Sequence, residues 1–176
     1  MRGQAIKRIL DQLKSDYNFS EMTALEFFAR EGDWQTQFFY QICKQTYAWE
    51  LNPDYENALR KNLPNAQINI GDSYQFARSN VFQNQFDMVV LDNPQNIFGD
   101  KSQYTEHFEA LPLVPNLLKA NSNGIVIFNT NSNPFDYGNH PIWKKRRNSF
   151  YKRNDTQKID LDFFINFYTN YFYDLK

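Results

Sequence analysis

Only one cysteine, Cys43, occurs in the 176 residues, so no internal disulfide can form and a reducing compartment is the natural setting. Histidine is almost as scarce. His107 and His140 stand far from each other and from Cys43, without the short spacings that put two metal ligands on one element, and no metal site is expected. No stretch approaches the roughly 18 consecutive apolar residues of a membrane span. The opening segment, "MRGQAIKRILDQLKSD", lacks the apolar centre and small-residue cleavage site of a secretory signal. Net charge is −1 and the sequence pI about 6.1, so overall charge makes no case for nucleic acid. These absences lead us to expect a soluble, cytoplasmic protein. Glycine is also rare, at six residues, which matters where a ligand-binding loop would need it.

Rings are abundant instead: 17 Phe, 11 Tyr and 3 Trp. A chain this aromatic is not disordered, and its core should be filled by rings as well as aliphatics. Its length suits one domain, 1–176, read as an N-terminal helix and linker (1–20), a core (21–130), and a basic segment with an aromatic helix (131–176).

Periodicity gives the element order. "GQAIKRILDQLK" places Ile6, Ile9, Leu10 and Leu13 at helical spacing. "TALEFFA" reads as a strand, and "WQTQFFYQICKQ" as a helix with Asp33 as its cap. "TYAWEL" is a second strand, and "NPDYENALRKNL" a helix with Asn52 as cap and Pro53 in its first turn. "AQINIGD" is a third strand and "SYQFARSNVF" a short helix. "FDMVVLD" is a fourth strand, apolar on both faces. A loop, "NPQNIFGDKSQ", leads to a helical region, "YTEHFEALPLVPNLLKA", which Pro112 and Pro115 should kink or split. "IVIFN" is the fifth strand. This alternation predicts an open, mostly parallel, doubly wound sheet of at least five strands with helices on both faces.

In such sheets ligands bind beyond the carboxyl ends of the strands. Each of those ends carries a carboxylate: Glu26 in the first, Glu50 in the second, Asp72 after the third and Asp92 after the fourth. A carboxylate ending the second strand can accept both hydroxyls of a ribose, and an Asp beyond the third can accept from an adenine amino group. The N–H groups opening the helix near Asp33 could hold a carboxylate. An adenosine with an amino-acid tail would use all three.

From Thr23 to Asn129 the chain resembles the class I S-adenosylmethionine-dependent methyltransferases, which have a Rossmann-like fold. "LEFFAREGDW" is similar to the family's first motif, an acidic strand followed by alternating glycines, with Gly32 kept and Phe28 and Arg30 in the other two glycine places. "AWELNPDYENALRKNLPNAQINIGDS" resembles the next two motifs. The resemblance implies S-adenosylmethionine as cofactor, with Glu50 on the ribose, Asp72 on the adenine, Leu51 and Ser73 beside them, and Glu26, Phe28, Arg30 and Gly32 around the methionine tail. "FDMVVLDNPQ" resembles the fourth motif and "LLKANSNGIVIF" the last helix, turn and strand. In amino-group methyltransferases of this family an Asp, Asn or Ser, two prolines and an aromatic orient the target nitrogen. Here Asp92, Asn93 and Pro94 would do so, while Asn93 replaces the first proline and Gln95 the ring. The family's closing antiparallel hairpin has no two clear strands after "IVIFN".

Two readings stay open. The chain is a methyltransferase on an unidentified acceptor, with an amino group on nucleic acid as the first class to test, or it is a methyltransferase-like scaffold that no longer catalyses. Adenosyl chemistry other than methyl transfer is a third. Individual residues carry rivals as well: Glu26 can serve the helix terminus, and Asp92 can simply form a turn.

The tail holds a local concentration of charge. Lys144, Lys145, Arg146, Arg147, Lys152 and Arg153 fall within ten residues, leaving 13 basic against 20 acidic residues elsewhere. With Trp143, Phe150 and Tyr151 interleaved they form either an RNA or DNA surface or a solvated face. Finally, "DLDFFINFYTNYFYDL" reads as a helix capped by Asp160, with Leu161, Phe164, Ile165, Tyr168 and Phe172 on its packed stripe.

Overall fold

The structure, a computed structural model, describes residues 4–91, 97–98, 104–120, 123–132, 141–156 and 159–174. It contains strands β1 (Thr23–Glu26), β2 (Gln45–Glu50), β3 (Gln67–Ile70), β4 (Met88–Leu91), β5 (Ile97–Phe98), β6 (Tyr104–Thr105) and β7 (Ile125–Phe128). Its helices are α1 (Gln4–Leu13), α2 (Thr36–Tyr40), α3 (Glu56–Asn62), α4 (Ser73–Arg78), α5 (Val114–Leu117), α6 (Pro141–Tyr151) and α7 (Leu161–Asp174). The chain divides into two compact units, residues 1–92 with 116–127, and residues 93–115 with 128–176.

The first unit is built on a five-stranded sheet of order β3-β2-β1-β4-β7. β1 runs parallel to both β2 and β4, and β2 to β3. The strand order reverses between β1 and β4, and a ligand crevice in this topology opens at their carboxyl ends. Register places Glu26 opposite Ala48 and Val90, and Glu50 opposite Ile70. All four residues of β4 are buried, because both faces of the sheet are covered. One core layer joins Ile6 and Leu10 of α1 to Phe19, Ala24, Phe39, Met88, Val90 and Ile125. A second layer packs Leu59 and Leu63 against Ala29 and Ala48. A third group is aromatic, with Trp49 against Phe27, Phe76 and Phe82 at centroid distances of 5.4, 5.5 and 4.9 Å.

The five strands of this sheet fall where hydrophobic periodicity puts them. The intervening helices are shorter than expected. Asp33 does not cap α2, which starts at Thr36 after Gln35, whose side chain makes no capping bond. Asn52 does cap, accepting from the Asp54 N–H at 3.0 Å. The segment expected to be helical from Tyr104 opens instead with β6 and reaches helix only after turns, with a 3₁₀ turn at Leu111–Leu113 before α5. The second unit pairs β5 antiparallel with β6, in a stretch read from sequence as loop and helix.

The second unit also corrects the packed stripe of α7. Phe164 and Tyr168 are buried as expected, but Leu161 and Ile165 are 68% and 54% exposed. The packed face runs instead along Phe163, Phe164, Phe167, Tyr168, Tyr171 and Phe172, with Phe163 and Phe167 stacked at 5.7 Å. The apolar arc of this helix is wide, with Asp162, Asn166, Thr169 and Asn170 exposed opposite it, and Leu161 and Ile165 lie towards its margin, where the pattern alone does not decide burial. Asp160 caps it, accepting from the Phe163 N–H at 2.8 Å. Among the described residues, no helix is long and apolar enough to cross a membrane.

Phe164→Ala should therefore cost about 3–5 kcal/mol in urea unfolding, by loss of transfer energy and by the cavity left. Leu161→Ala and Ile165→Ala should each stay within about 0.5 kcal/mol of wild type. Equal losses at all three positions would restore the stripe read from sequence.

Candidate functional site

The loop after β1, residues 27–32, is tied down from four directions. The Ala29 N–H donates to the Trp49 carbonyl at 2.9 Å, and the Arg30 N–H to Glu50 Oε2 at 2.7 Å. The Asn62 side-chain amide donates to the Glu31 carbonyl at 2.8 Å. From the β3 end, the buried Ser73 hydroxyl donates to the Phe27 carbonyl at 2.7 Å. Phe28 is half-buried, edge-on to Phe27 at 4.9 Å and tilted against Tyr74 at 6.1 Å.

The backbone retains what glycine would supply. Arg30 has φ +51° and Gly32 φ +69°. At Gly32 the requirement is also one of space, since a Cβ would sit 2.8 Å from Leu63 Cδ1 and 3.0 Å from Leu59 Cδ2. Gly32 thus lets the loop lie on α3. At Arg30 an L-residue holds the left-handed conformation at a cost of roughly 1–2 kcal/mol, which the surrounding hydrogen bonds offset.

Glu50 is the centre of this arrangement. It is buried, and besides Arg30 it accepts the Asn52 N–H through Oε1 at 2.8 Å. One carboxylate therefore fastens the loops after β1 and β2. Two of its roughly four lone-pair sites are not used by these bonds. Asp72 caps α4, with Oδ1 accepting from the Tyr74 N–H at 2.8 Å, while Oδ2 has no partner among the described residues. Leu51, next to Glu50, exposes 48% of its surface at the same edge and offers an apolar rim. Glu26 is buried and accepts from the Thr36 hydroxyl at 3.3 Å, at the first residue of α2. The first unit thus gathers Glu26, Phe28, Arg30, Gly32, Glu50, Leu51, Asp72 and Ser73 at one end of its sheet. Asp92, Asn93 and Pro94 lie outside the described residues.

No protein-family model and no curated protein matches the sequence. Solved structures do match. The YcgJ protein from Bacillus subtilis superposes with a TM-score of 0.54 at 15% identity, over 83% of this chain and 57% of that one. CalS10 from Micromonospora echinaspora, an amino pentose methyltransferase solved with S-adenosylmethionine bound, gives 0.56 at 16% identity, over 75% and 52%. The chain has the class I methyltransferase fold. A candidate RNA methyltransferase from Pyrococcus horikoshii has the same fold, with a TM-score of 0.53 at 14% identity over 84% and 68%. This chain spans little more than half the length of the first two.

In the second unit, the basic segment of this methyltransferase-fold chain differs from its sequence reading. Arg147 is fully buried. Its Nη1 donates to both oxygens of the equally buried Glu106, at 2.9 and 3.1 Å, its Nε to the Thr156 carbonyl at 2.9 Å, and its Nη2 to the Asn131 carbonyl. Trp143 and Tyr151, one turn before and after, flank the guanidinium at 5.0 and 5.1 Å. Arg146 pairs with Glu109 at 2.8 Å, and Arg153 pairs with Asp155 at 2.5 Å and lies over the Phe163 ring. Lys144, Lys145 and Lys152 are the exposed remainder. The spacing Trp143-x₃-Arg147-x₃-Tyr151 carried the signal, because it sets the arginine on the aromatic face of α6.

His107, to which the sequence assigned no role, is buried among Phe108, Phe128, Phe150 and Tyr168. Its Nε2 is hydrogen-bonded to the Tyr168 hydroxyl, which meets the Tyr151 hydroxyl at 2.8 Å. Burial, and then the Arg147 charge, push its pKa down to about 3. Burial pushes Glu106 up to about 7 against the opposing pull of Arg147.

These two shifts oppose each other as pH falls. The unfolded chain protonates His107 near 6.5, so acidification below that value costs stability. Folded Glu106 takes up its proton near 7 rather than 4.5, so acidification over that interval favours the fold. Their contributions cancel in large part between pH 6.5 and 4.5. His107→Gln should remove one side of the balance. Its stability, relative to wild type, should rise on acidification across that window by up to about 1.4 kcal/mol per pH unit. Parallel urea-midpoint profiles for the two proteins would rule this out.

Proposed function

We propose that the chain binds S-adenosylmethionine at the carboxyl end of its sheet and transfers the methyl group to an acceptor nitrogen. The observation that carries this reading is the pair of carboxylates, Glu50 and Asp72, at the ends of adjacent strands in a methyltransferase fold, beside a loop held in glycine-like geometry. In this reading Glu50 accepts the ribose hydroxyls on its free lone pairs and Asp72 Oδ2 accepts the adenine amino group. Leu51 covers a face of the purine, and Gly32 brings the backbone close to the tail. Asp92, with the backbone of Asn93 and Pro94, orients the acceptor nitrogen so that its lone pair faces the methyl carbon. In-line positioning then lowers the barrier to displacement.

The rival is a scaffold that has kept the fold without the chemistry. A specific observation favours it: both oxygens of Glu50 already serve backbone amides, a role sufficient to explain the residue without a ligand. Calorimetry with S-adenosylmethionine and S-adenosylhomocysteine separates the two. We expect dissociation constants of about micromolar order, weakened at least tenfold in Asp72→Ala and in Glu50→Gln. Urea unfolding of each variant in parallel separates loss of contact from loss of fold. An absence of binding at millimolar ligand would leave the scaffold.

Nucleic acid is the acceptor class we propose, with Lys144, Lys145 and Lys152 as phosphate contacts. Arg146 and Arg153 are shared with carboxylates, and Arg147 is withdrawn from any surface role. Three contacts predict a slope of log K against log salt of about −2 on single-stranded RNA, rather than the value near −4 of six cations. The Lys144→Ala/Lys145→Ala double variant should reduce the slope to about −0.7. A salt-independent interaction, or none, would exclude this surface.

A further inference from the structure

The order of the sheet decides which side of an adenosyl ligand an acceptor can reach. With Asp72 after β3 and Glu50 at the end of β2, adenine and ribose would lie on one side of β1. The rest of the ligand then points across β1 towards β4, where the strand order reverses and the crevice opens. An acceptor has to enter there.

α2 starts at this border. Its first residue, Thr36, donates to Glu26 Oε2 at 3.3 Å, and Glu26 stands opposite Val90 of β4. Further along α2, Phe39 shares a core layer with Met88 and Val90. Trp34 lies two residues before Thr36 and two after Gly32, so its Cα is within about 7 Å of each. Because α2 begins only at Thr36, Trp34 stands in the loop at the rim and not on the packed face of a helix. Of the three tryptophans, Trp49 and Trp143 are fully buried, whereas Trp34 is 37% exposed. An indole left at the surface forgoes part of the burial that a core would give it. At the edge of a ligand crevice the same ring is a flat apolar platform.

Resting on the adenosyl reading of this site, we propose that Trp34 is a specificity-determining residue whose indole stacks on the acceptor base of a single-stranded nucleic acid. Every base has a π face, so such a ring holds bases without reading their sequence. A base drawn out of its own stack needs a replacement surface, and Trp34 supplies one on the side of the crevice that faces β4. The site therefore selects flat heterocyclic acceptors over aliphatic amines.

Tryptophan fluorescence reads this contact, because Trp49 and Trp143 are shielded and Trp34 alone can meet a base. The full chain, loaded with S-adenosylhomocysteine, is titrated with single-stranded oligo(dA) of about ten nucleotides and with an abasic strand of the same length. We expect oligo(dA) to quench the emission and to bind about tenfold more tightly than the abasic strand. Trp34→Ala should remove both the quenching and that advantage. Trp34→Phe, which keeps a ring, should retain most of the advantage. The wild-type quenching and the Trp34→Phe titration do not depend on how well Trp34→Ala folds. Equal affinity for the two strands, or an advantage that survives in Trp34→Ala, would overturn the proposal while the adenosyl site stands. Binding of neither strand to the loaded chain would do the same. If S-adenosylhomocysteine alone quenches the emission and oligo(dA) adds nothing, the indole serves the cofactor and the proposal is overturned. If S-adenosylhomocysteine does not bind, the reading of the site fails and this proposal fails with it.

Discussion

The carboxylate of Glu50 fastens the loops after β1 and β2, and most of what can happen at the carboxyl end of the sheet depends on it. Twenty residues separate it from Arg30, yet their hydrogen bond sets the path of the whole first loop. Bonds from backbone N–H groups to an ionised carboxylate are worth about 1.5–3 kcal/mol, enough to hold an arginine in a left-handed turn. Removing the carboxylate would leave two N–H donors at a partly buried edge without their acceptor, so the paths of both loops rest on this one residue.

The glycine-poor loop is then less anomalous than its composition suggests. Glycines in such loops supply positive φ and close approach, two separable requirements. Gly32 meets both, because a Cβ there would collide with Leu59 and Leu63. Arg30 meets the first through strain and external bonds. Phe28, in the remaining glycine place, needs no positive φ and packs against the Phe27 and Tyr74 rings. A glycine-poor loop can keep this geometry if neighbouring elements hold it, and Ser73 of α4 and Asn62 of α3 do so.

The second unit solves a different problem, that of burying charge. The Arg147 guanidinium is satisfied by a carboxylate, two carbonyls and two ring faces, so its desolvation is met by good geometry rather than by solvent. Glu106 takes φ +50° to face it. The pair ties α6 to the segments around Thr105, Asn131 and Thr156, and the His107–Tyr168–Tyr151 chain fills the aromatic core beside it. Such a polar network specifies one packing among many that a ring-rich core would otherwise permit.

The order of strands, their parallel arrangement and the carboxylates at their ends were determined by the sequence itself, because a buried parallel strand and its polar terminus are local patterns of a few residues. Asn52 and Asp160 as helix caps were local in the same way. Tertiary structure alone decided that Glu50 closes the β1 loop, that Arg147 turns inward, and that α7 buries Phe164 and Tyr168 but not Leu161 and Ile165. The first two depend on partners 20 and 41 residues away in the chain. The third was illegible because the apolar arc of α7 is wider than the surface it meets, and only that surface can choose which part of the arc packs.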